Sequence, residues 1–147
     1  MSVAVGVIGT GVMGSEHVRL VRRETPGAHL AGVFDADLAR ARAAAAGAIV
    51  FSDPRSLIAS NDVDAVILAS PDATHAELTL ACLEAGKPVL CEKPLAPSAA
   101  EALRVVQAEV ALKRRLIQVG YMRRFDPGYQ EMKRIKDEGG VDRKSVV

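Results

Sequence analysis

Short β-branched apolar runs alternate with helix-patterned stretches along the chain, and this alternation restricts the fold more than any other feature. Val3-Ala4-Val5-Gly6-Val7-Ile8 is nearly all apolar, as a parallel strand buried on both faces requires. A helix follows in which Gly14, Val18 and Val21 fall at i, i+4 and i+7, leaving His17, Arg19, Arg22 and Arg23 largely to solvent. Pro26-Gly27 breaks the chain before a second strand, His29 to Phe34. Asp37 to Ala46 reads as an Ala-rich helix stopped by Gly47, and Ile49-Val50-Phe51 as a third strand. Asp53-Pro54 then supplies an N-cap and first-turn proline for a short helix.

The second half repeats the pattern. Ala65 to Ala69 reads as a strand, Thr74 to Ala85 as a helix with Leu78, Ala81, Cys82 and Ala85 inward, and Val89-Leu90-Cys91 as a strand. Thr74-His75-Ala76-Glu77 and Ser98-Ala99-Ala100-Glu101 both fit capping boxes, and Gly86 with Pro88 closes the first of these helices. The second is expected to face Ala99, Leu103, Val106 and Val110 inward. Leu116-Ile117-Gln118-Val119 is a sixth strand, and Asp126-Pro127 starts a last helix running to about Glu138. Six strands with intervening helices predict an α/β fold, a doubly wound parallel sheet of the Rossmann-like dinucleotide-binding kind, with ligands at the carboxyl ends of the strands.

At 147 residues the chain has the length of one domain, and 49% hydrophobic with 25% charged residues excludes intrinsic disorder. Only Phe34, Phe51, Tyr121, Phe125 and Tyr129 are aromatic, so the core must be interdigitated small aliphatics. A net charge of +1 disfavours nucleic acid or anionic lipid as partners, and acidic residues interrupt the basic stretch from 113 onward. No apolar run approaches the roughly 20 residues of a membrane helix. The start of the chain has no secretory pattern, and Cys82 and Cys91 have neither metal-ligand nor redox spacing, so a cytoplasmic setting with reduced thiols and no metal is expected.

Four motifs fall after strands. Gly9-Thr10-Gly11-Val12-Met13-Gly14 is a G-x-G-x-x-G between a buried strand and a helix. Gly9 can make the tight turn, Gly11 can admit a pyrophosphate to the backbone, and Gly14 can let the helix pack on the sheet. Free N–H groups at the helix start would meet the phosphates. Asp35, twenty-one residues beyond Gly14, can accept hydrogen bonds from the adenosine ribose and repel a 2′-phosphate, which favours NAD over NADP; the alternative is that it caps the next helix. Glu92-Lys93-Pro94 ends the fifth strand. There Lys93 could exchange a proton, with burial and a nearby cationic ring favouring its neutral form, or it could be a solvated turn residue; Pro94 is cis or trans. Ser70-Pro71 and His75 would lie over the crevice, with His75 either touching the nicotinamide side or bonding nearby backbone. Gly120 to Asp126 offers arginines for a polar substrate, or else a solvated basic loop.

These four motifs, in this order, resemble the N-terminal half of the Gfo/Idh/MocA oxidoreductases, NAD(P)-dependent enzymes of sugars, inositols and related polyols, and Glu92-Lys93-Pro94 is the most specific mark. Val119 to Tyr129 is further similar to the inositol 2-dehydrogenase branch. The resemblance implies that Lys93 is the catalytic lysine and that Met122 and Arg123 line the pocket between nicotinamide and polyol. It also implies cofactor contacts from Gly9, Thr10, Gly11, Val12, Met13, Gly14, Asp35, Ser70, Pro71, His75, Glu92 and Lys93.

Family members usually continue into a second α/β domain that covers the substrate, completes the proton relay and forms oligomer contacts. Residues 1–141 are therefore expected to form the dinucleotide-binding domain, inactive alone, of an enzyme that is a homo-oligomer at full length. Asp142 to Val147 resembles neither the family's next strand nor a linker and matches the translation of a common sequencing adapter, so 142–147 is expected to be a non-native tail. Two other functions stay open: a non-catalytic dinucleotide-binding module, for which Lys93 would have no use, and a family dehydrogenase for another sugar or sugar acid.

Overall fold

The computed structural model describes residues 2–140; the tail at 142–147 lies outside the described residues. The elements are β1 (Val3–Ile8), α1 (Val12–Arg23), β2 (Ala28–Phe34), α2 (Leu38–Ala45), β3 (Ile49–Val50), α3 (Pro54–Ala59), β4 (Ala65–Leu68), α4 (His75–Glu84), β5 (Val89–Glu92), α5 (Ala99–Ala111), β6 (Ile117–Gly120) and α6 (Pro127–Asp137). The six strands form one sheet in the order β3-β2-β1-β4-β5-β6, with every pairing parallel. The chain therefore winds outward from the centre in both directions, and the order reverses between β1 and β4, the switch point beside whose strand ends folds of this kind bind their ligands.

Alternation along the strands feeds two cores. Val5, Val7, Val33 and Ile67 meet Val18 and Val21 of α1 and Ala41 and Ala45 of α2. On the opposite face Ile8, Val66, Leu68, Val89 and Cys91 meet Leu57 and Ile58 of α3 and Leu78, Ala81 and Cys82 of α4. The small side chains allow this close approach: a β-carbon at Gly32 would lie 2.4 Å from the Phe51 ring.

Local chemistry sets most helix ends. The carboxylates of Asp37, Asp53 and Asp126 accept backbone N–H groups at the starts of α2, α3 and α6, and the Ser98 hydroxyl accepts the Glu101 N–H at the start of α5. The left-handed backbone at Gly47 and Gly86 follows α2 and α4 as expected.

Three details differ from the sequence reading. Thr74 does not cap α4. A 3-10 turn, Asp72–Thr74, already places it in helical backbone, so its hydroxyl donates to the Pro71 carbonyl at 2.7 Å, while Glu77 pairs with Arg104 of α5. Ala85 is exposed beyond the end of α4. The third difference is the rotation of α5. Val105 is fully buried with Ala102 packed beside the same cluster, whereas Leu103, Val106 and Val110 are exposed. This helix is apolar around much of its circumference, so two stripes satisfied the helical period. Glu109 decides between them: its Oε1 accepts the N–H groups of Leu116 at 2.8 Å and Ile117 at 2.7 Å, which fastens the inner face to the start of β6.

Helices α3, α4 and α5 follow one face of the sheet, while α1 and α2 cover β1 to β3 and reach β4 at Ile67 on the other. Beside α1 an open groove of about 670 Å³ runs over β4, β5 and β6, lined by Leu20, Ala65, Ile67, Leu90 and Gln118 among others. β5 and β6 are therefore only partly covered on this face, whereas Val66, Ile67 and Leu68 of β4 are buried. The rotation of α5 has a direct test in urea denaturation. Val105→Ala is expected to destabilise the chain by about 1–3 kcal/mol, and Val106→Ala by less than about 0.5 kcal/mol. Equal losses would contradict the observed orientation.

Candidate dinucleotide site

Parallel register gathers the four motifs along one edge. Ile8 pairs with Phe34 on one side and Leu68 on the other, Leu68 with Cys91, and Glu92 with Gly120. The chain segments at Gly9, Asp35, Ala69-Ser70, Lys93 and Tyr121 thus step off neighbouring strand ends.

The glycine turn has the geometry its sequence suggested. Gly9 adopts φ +86°, and a β-carbon there would lie 2.5 Å from the Ser70 nitrogen. At Gly14 a β-carbon would fall 1.7 Å from the Gly9 carbonyl oxygen, so only glycine lets α1 leave β1 at this distance. Nothing lies within 4 Å of the β-carbon position at Gly11, which leaves its backbone open to a ligand. The start of α1 has no side-chain cap and no acid in its first turn, so N–H groups at Val12, Met13 and Gly14 have no local carboxylate to satisfy them. An anion such as a pyrophosphate fits both the open backbone and the dipole of this helix end.

Asp35 is tied to the same turn. Its Oδ2 accepts the Thr10 N–H at 2.7 Å and the Thr10 hydroxyl at 3.1 Å; its Oδ1 accepts the Asp37 N–H at 2.8 Å and faces Arg40 Nε at 3.3 Å. Capping of α2 falls to Asp37, two residues on. Burial alone would raise the Asp35 carboxyl, but the N–H groups of Asp37 and Thr10, the Thr10 hydroxyl and Arg40 together hold it below the usual carboxylate range. The stability this contributes is present above the unfolded-state pKa and is lost as pH falls through the lowered native value. The carboxylate is therefore already the latch between the glycine turn and β2, and ribose hydroxyls would have to share it.

On the other side of the switch point, Ser70 Oγ lies 2.7 Å from Thr74 Oγ1. His75 is only 2% exposed, with Nδ1 2.6 Å from the Pro94 carbonyl and Nε2 2.8 Å from the Ser70 carbonyl. Of its two expected roles, the backbone-bonded one is present: the ring fastens the Ser70-Pro71 loop to the Lys93-Pro94 turn. That peptide bond is cis. Lys93 is exposed, so the burial expected for it is not supplied by residues 2–140. Met122 and Arg123 lie in an exposed 3-10 turn, where the Arg123 guanidinium stacks 5.0 Å from the Tyr129 ring centre and contacts Asp126 at 3.3 Å. Burial pushes the Cys82 thiol up to about 12 and that of Cys91 up to about 11, so neither is a nucleophile.

Sequence reasoning missed one residue. His17, assigned to solvent, reaches from α1 to Glu92, with Nε2 2.8 Å from Oε1. The signal was available, because 14, 17, 18 and 21 complete the i, i+3, i+4, i+7 pattern of the buried stripe.

Comparison with known proteins bears on the family and the fold. The family described as oxidoreductase family, NAD-binding Rossmann fold, matches residues 3–121. Inositol 2-dehydrogenase 1 of Saccharopolyspora erythraea is 58% identical over 145 residues, which is 96% of this chain but 43% of that protein. Inositol 2-dehydrogenase of Rhodococcus erythropolis is 50% identical, over 97% of this chain and 42% of its own length. Among solved structures, myo-inositol dehydrogenase from Lactobacillus casei in complex with NAD(H) and myo-inositol superposes with a TM-score of 0.89 at 38% identity, covering 95% of this chain and 42% of that one. Scyllo-inositol dehydrogenase from the same organism, with NAD(H) and scyllo-inositol, gives 0.89 at 27% identity, covering 96% and 42%. The chain spans a little over two-fifths of the length of these relatives, and it belongs to the Gfo/Idh/MocA oxidoreductase family with its NAD-binding Rossmann fold.

Proposed function

We propose that the chain is the dinucleotide-binding part of an inositol 2-dehydrogenase-like enzyme that oxidises a secondary alcohol of a cyclic polyol, with NAD as cofactor. The observation that carries this reading is the open, uncapped turn Gly9–Gly14 latched to Asp35, on the strand edge that also bears Lys93. Gly11, Val12, Met13 and Gly14 would hold the pyrophosphate, with Thr10 fixing the turn and Asp35 taking the adenosine ribose. Ser70, Pro71 and Glu92 would flank the nicotinamide half, with His75 holding the Ser70 loop in place. When bound, the nicotinamide supplies the hydride acceptor. Lys93 would take the hydroxyl proton as the C–H bond breaks, and Met122 and Arg123 would line the polyol side once Arg123 leaves its contact with Asp126. Similarity to inositol dehydrogenases supports a polyol over an open sugar acid. A homo-oligomeric full-length form belongs to the same reading. Free, buried Cys82 and Cys91 fit the reducing cytoplasm. No helix among the described residues is long and apolar enough to cross a membrane.

Cofactor choice tests the Asp35 assignment. The chain should bind NAD(H) more tightly than NADP(H), and Asp35→Ser should shrink that ratio by about tenfold or more, roughly 1.4 kcal/mol, by removing like-charge repulsion. Because Asp35 also holds Thr10, both affinities should fall in the mutant, so the ratio is the diagnostic quantity. Equal wild-type affinities would reject the assignment.

Turnover tests the role of Lys93. The 147-residue chain alone should bind dinucleotide without forming NADH from myo-inositol, since water exclusion and much of the substrate pocket would come from the length its relatives have beyond it. With residues 1–141 joined to a matching second domain, Lys93→Met should cut kcat by about 10² or more, and Lys93→Arg should not rescue, because guanidinium keeps its proton. A mutant retaining half of wild-type kcat would remove Lys93 from the mechanism.

A further inference from the structure

We infer that His17 is a positioning residue for the nicotinamide end of the site, acting through Glu92. This rests on the dinucleotide reading above. His17 projects from α1, whose first turn forms the anion site, and its Nε2 lies 2.8 Å from Glu92 Oε1 with the two side chains only 16% and 13% exposed. Glu92 is the last residue of β5 and the immediate neighbour of Lys93. Its carboxylate also lies flat on the end of β6: a β-carbon at Gly120 would sit 3.1 Å from Cδ, Oε1 and Oε2 alike. One nearly buried carboxylate thus joins α1, the Lys93 turn and the start of the loop bearing Met122 and Arg123.

A carboxylate this enclosed needs a donor, and His17 supplies it from Nε2–H as the cation or as the neutral tautomer protonated on Nε2, the tautomer that an acceptor-only partner selects. Without that donor Glu92 would have to leave its seat against Gly120 to reach water, carrying the backbone before Lys93 with it. The pyrophosphate turn would be untouched, because Gly9 to Gly14 is held by Asp35 and by the contact of α1 with β1. The consequence is selective: loss of His17 should harm recognition of the nicotinamide half and spare the ADP-ribose half.

Titration of NADH and of ADP-ribose against the 147-residue chain reads this directly. His17→Leu should weaken NADH binding by about tenfold while changing ADP-ribose binding less than about twofold, and His17→Gln, whose amide N–H can occupy the Nε2 position, should restore most of the loss. Gly120→Val, whose branched side chain would occupy the space of the Glu92 carboxylate and displace it without altering α1, should reproduce the NADH-selective loss and keeps the test valid if His17→Leu does not fold. Equal weakening of both ligands in His17→Leu, or unchanged NADH binding in His17→Leu or Gly120→Val, would overturn the inference. If the unmodified chain binds neither ligand, the dinucleotide reading itself fails and this inference falls with it.

Discussion

The close approach of α1 to the end of β1 is the contact on which the rest of the site depends. It exists because Gly14 has no β-carbon to strike the Gly9 carbonyl and because Gly9 can turn through positive φ against the Ser70 backbone. Any side chain at Gly14 would push α1 off the sheet, separating Val18 and Val21 from Val5, Val7 and Ile67 and opening one of the two main cores. The same displacement would carry the free N–H groups of α1 away from the switch point and His17 away from Glu92. One steric condition therefore serves packing and ligand recognition together.

Polar latches hold the strand-end loops in register with that contact. Thr10 to Asp35 ties the turn to β2, His75 ties the loop after β4 to the turn after β5, and His17 with Glu92 ties α1 to β5 and β6. Each uses a polar side chain that is buried or nearly so, where an unmade hydrogen bond is costly and geometry is correspondingly well defined. The surface ion pairs are different in kind. Arg19 with Glu16 and Arg134 with Glu131 and Glu138 lie on exposed helix faces, where such pairs add little and are screened by salt. Arg123 belongs to this exposed class, so little opposes its reorientation.

Much of this architecture was legible in the sequence, for physical reasons. Strand identity follows from β-branched runs, the start of α3 from Asp53-Pro54, and the ligand edge from a glycine spacing whose steric meaning is local. What escaped the sequence depends on contacts between distant segments. The rotation of α5 was ambiguous because its apolar residues circle the helix, and only Glu109 reaching the N–H groups at the start of β6 resolves it. Thr74 carried a capping signal that the preceding 3-10 turn overrode. Asp35 was read for its ligand and His75 for two roles, yet the Thr10 latch and the two carbonyls around His75 could only be seen once the strand ends were side by side. The exposed surfaces follow the same logic. Val106 and Val110 of α5, Phe125, and much of the open groove over β4 to β6 are separate apolar surfaces without a cover among the described residues.

A crystal structure of the chain grown with NAD would test the central claim most directly. The account requires the pyrophosphate against the N–H groups of Gly11 to Gly14, the adenosine ribose hydroxyls on Asp35 with Thr10 still bonded to it, and the nicotinamide beside the ends of β4 and β5. A dinucleotide seated elsewhere, such as the groove over β4 to β6, or bound with its phosphates away from α1, would contradict it.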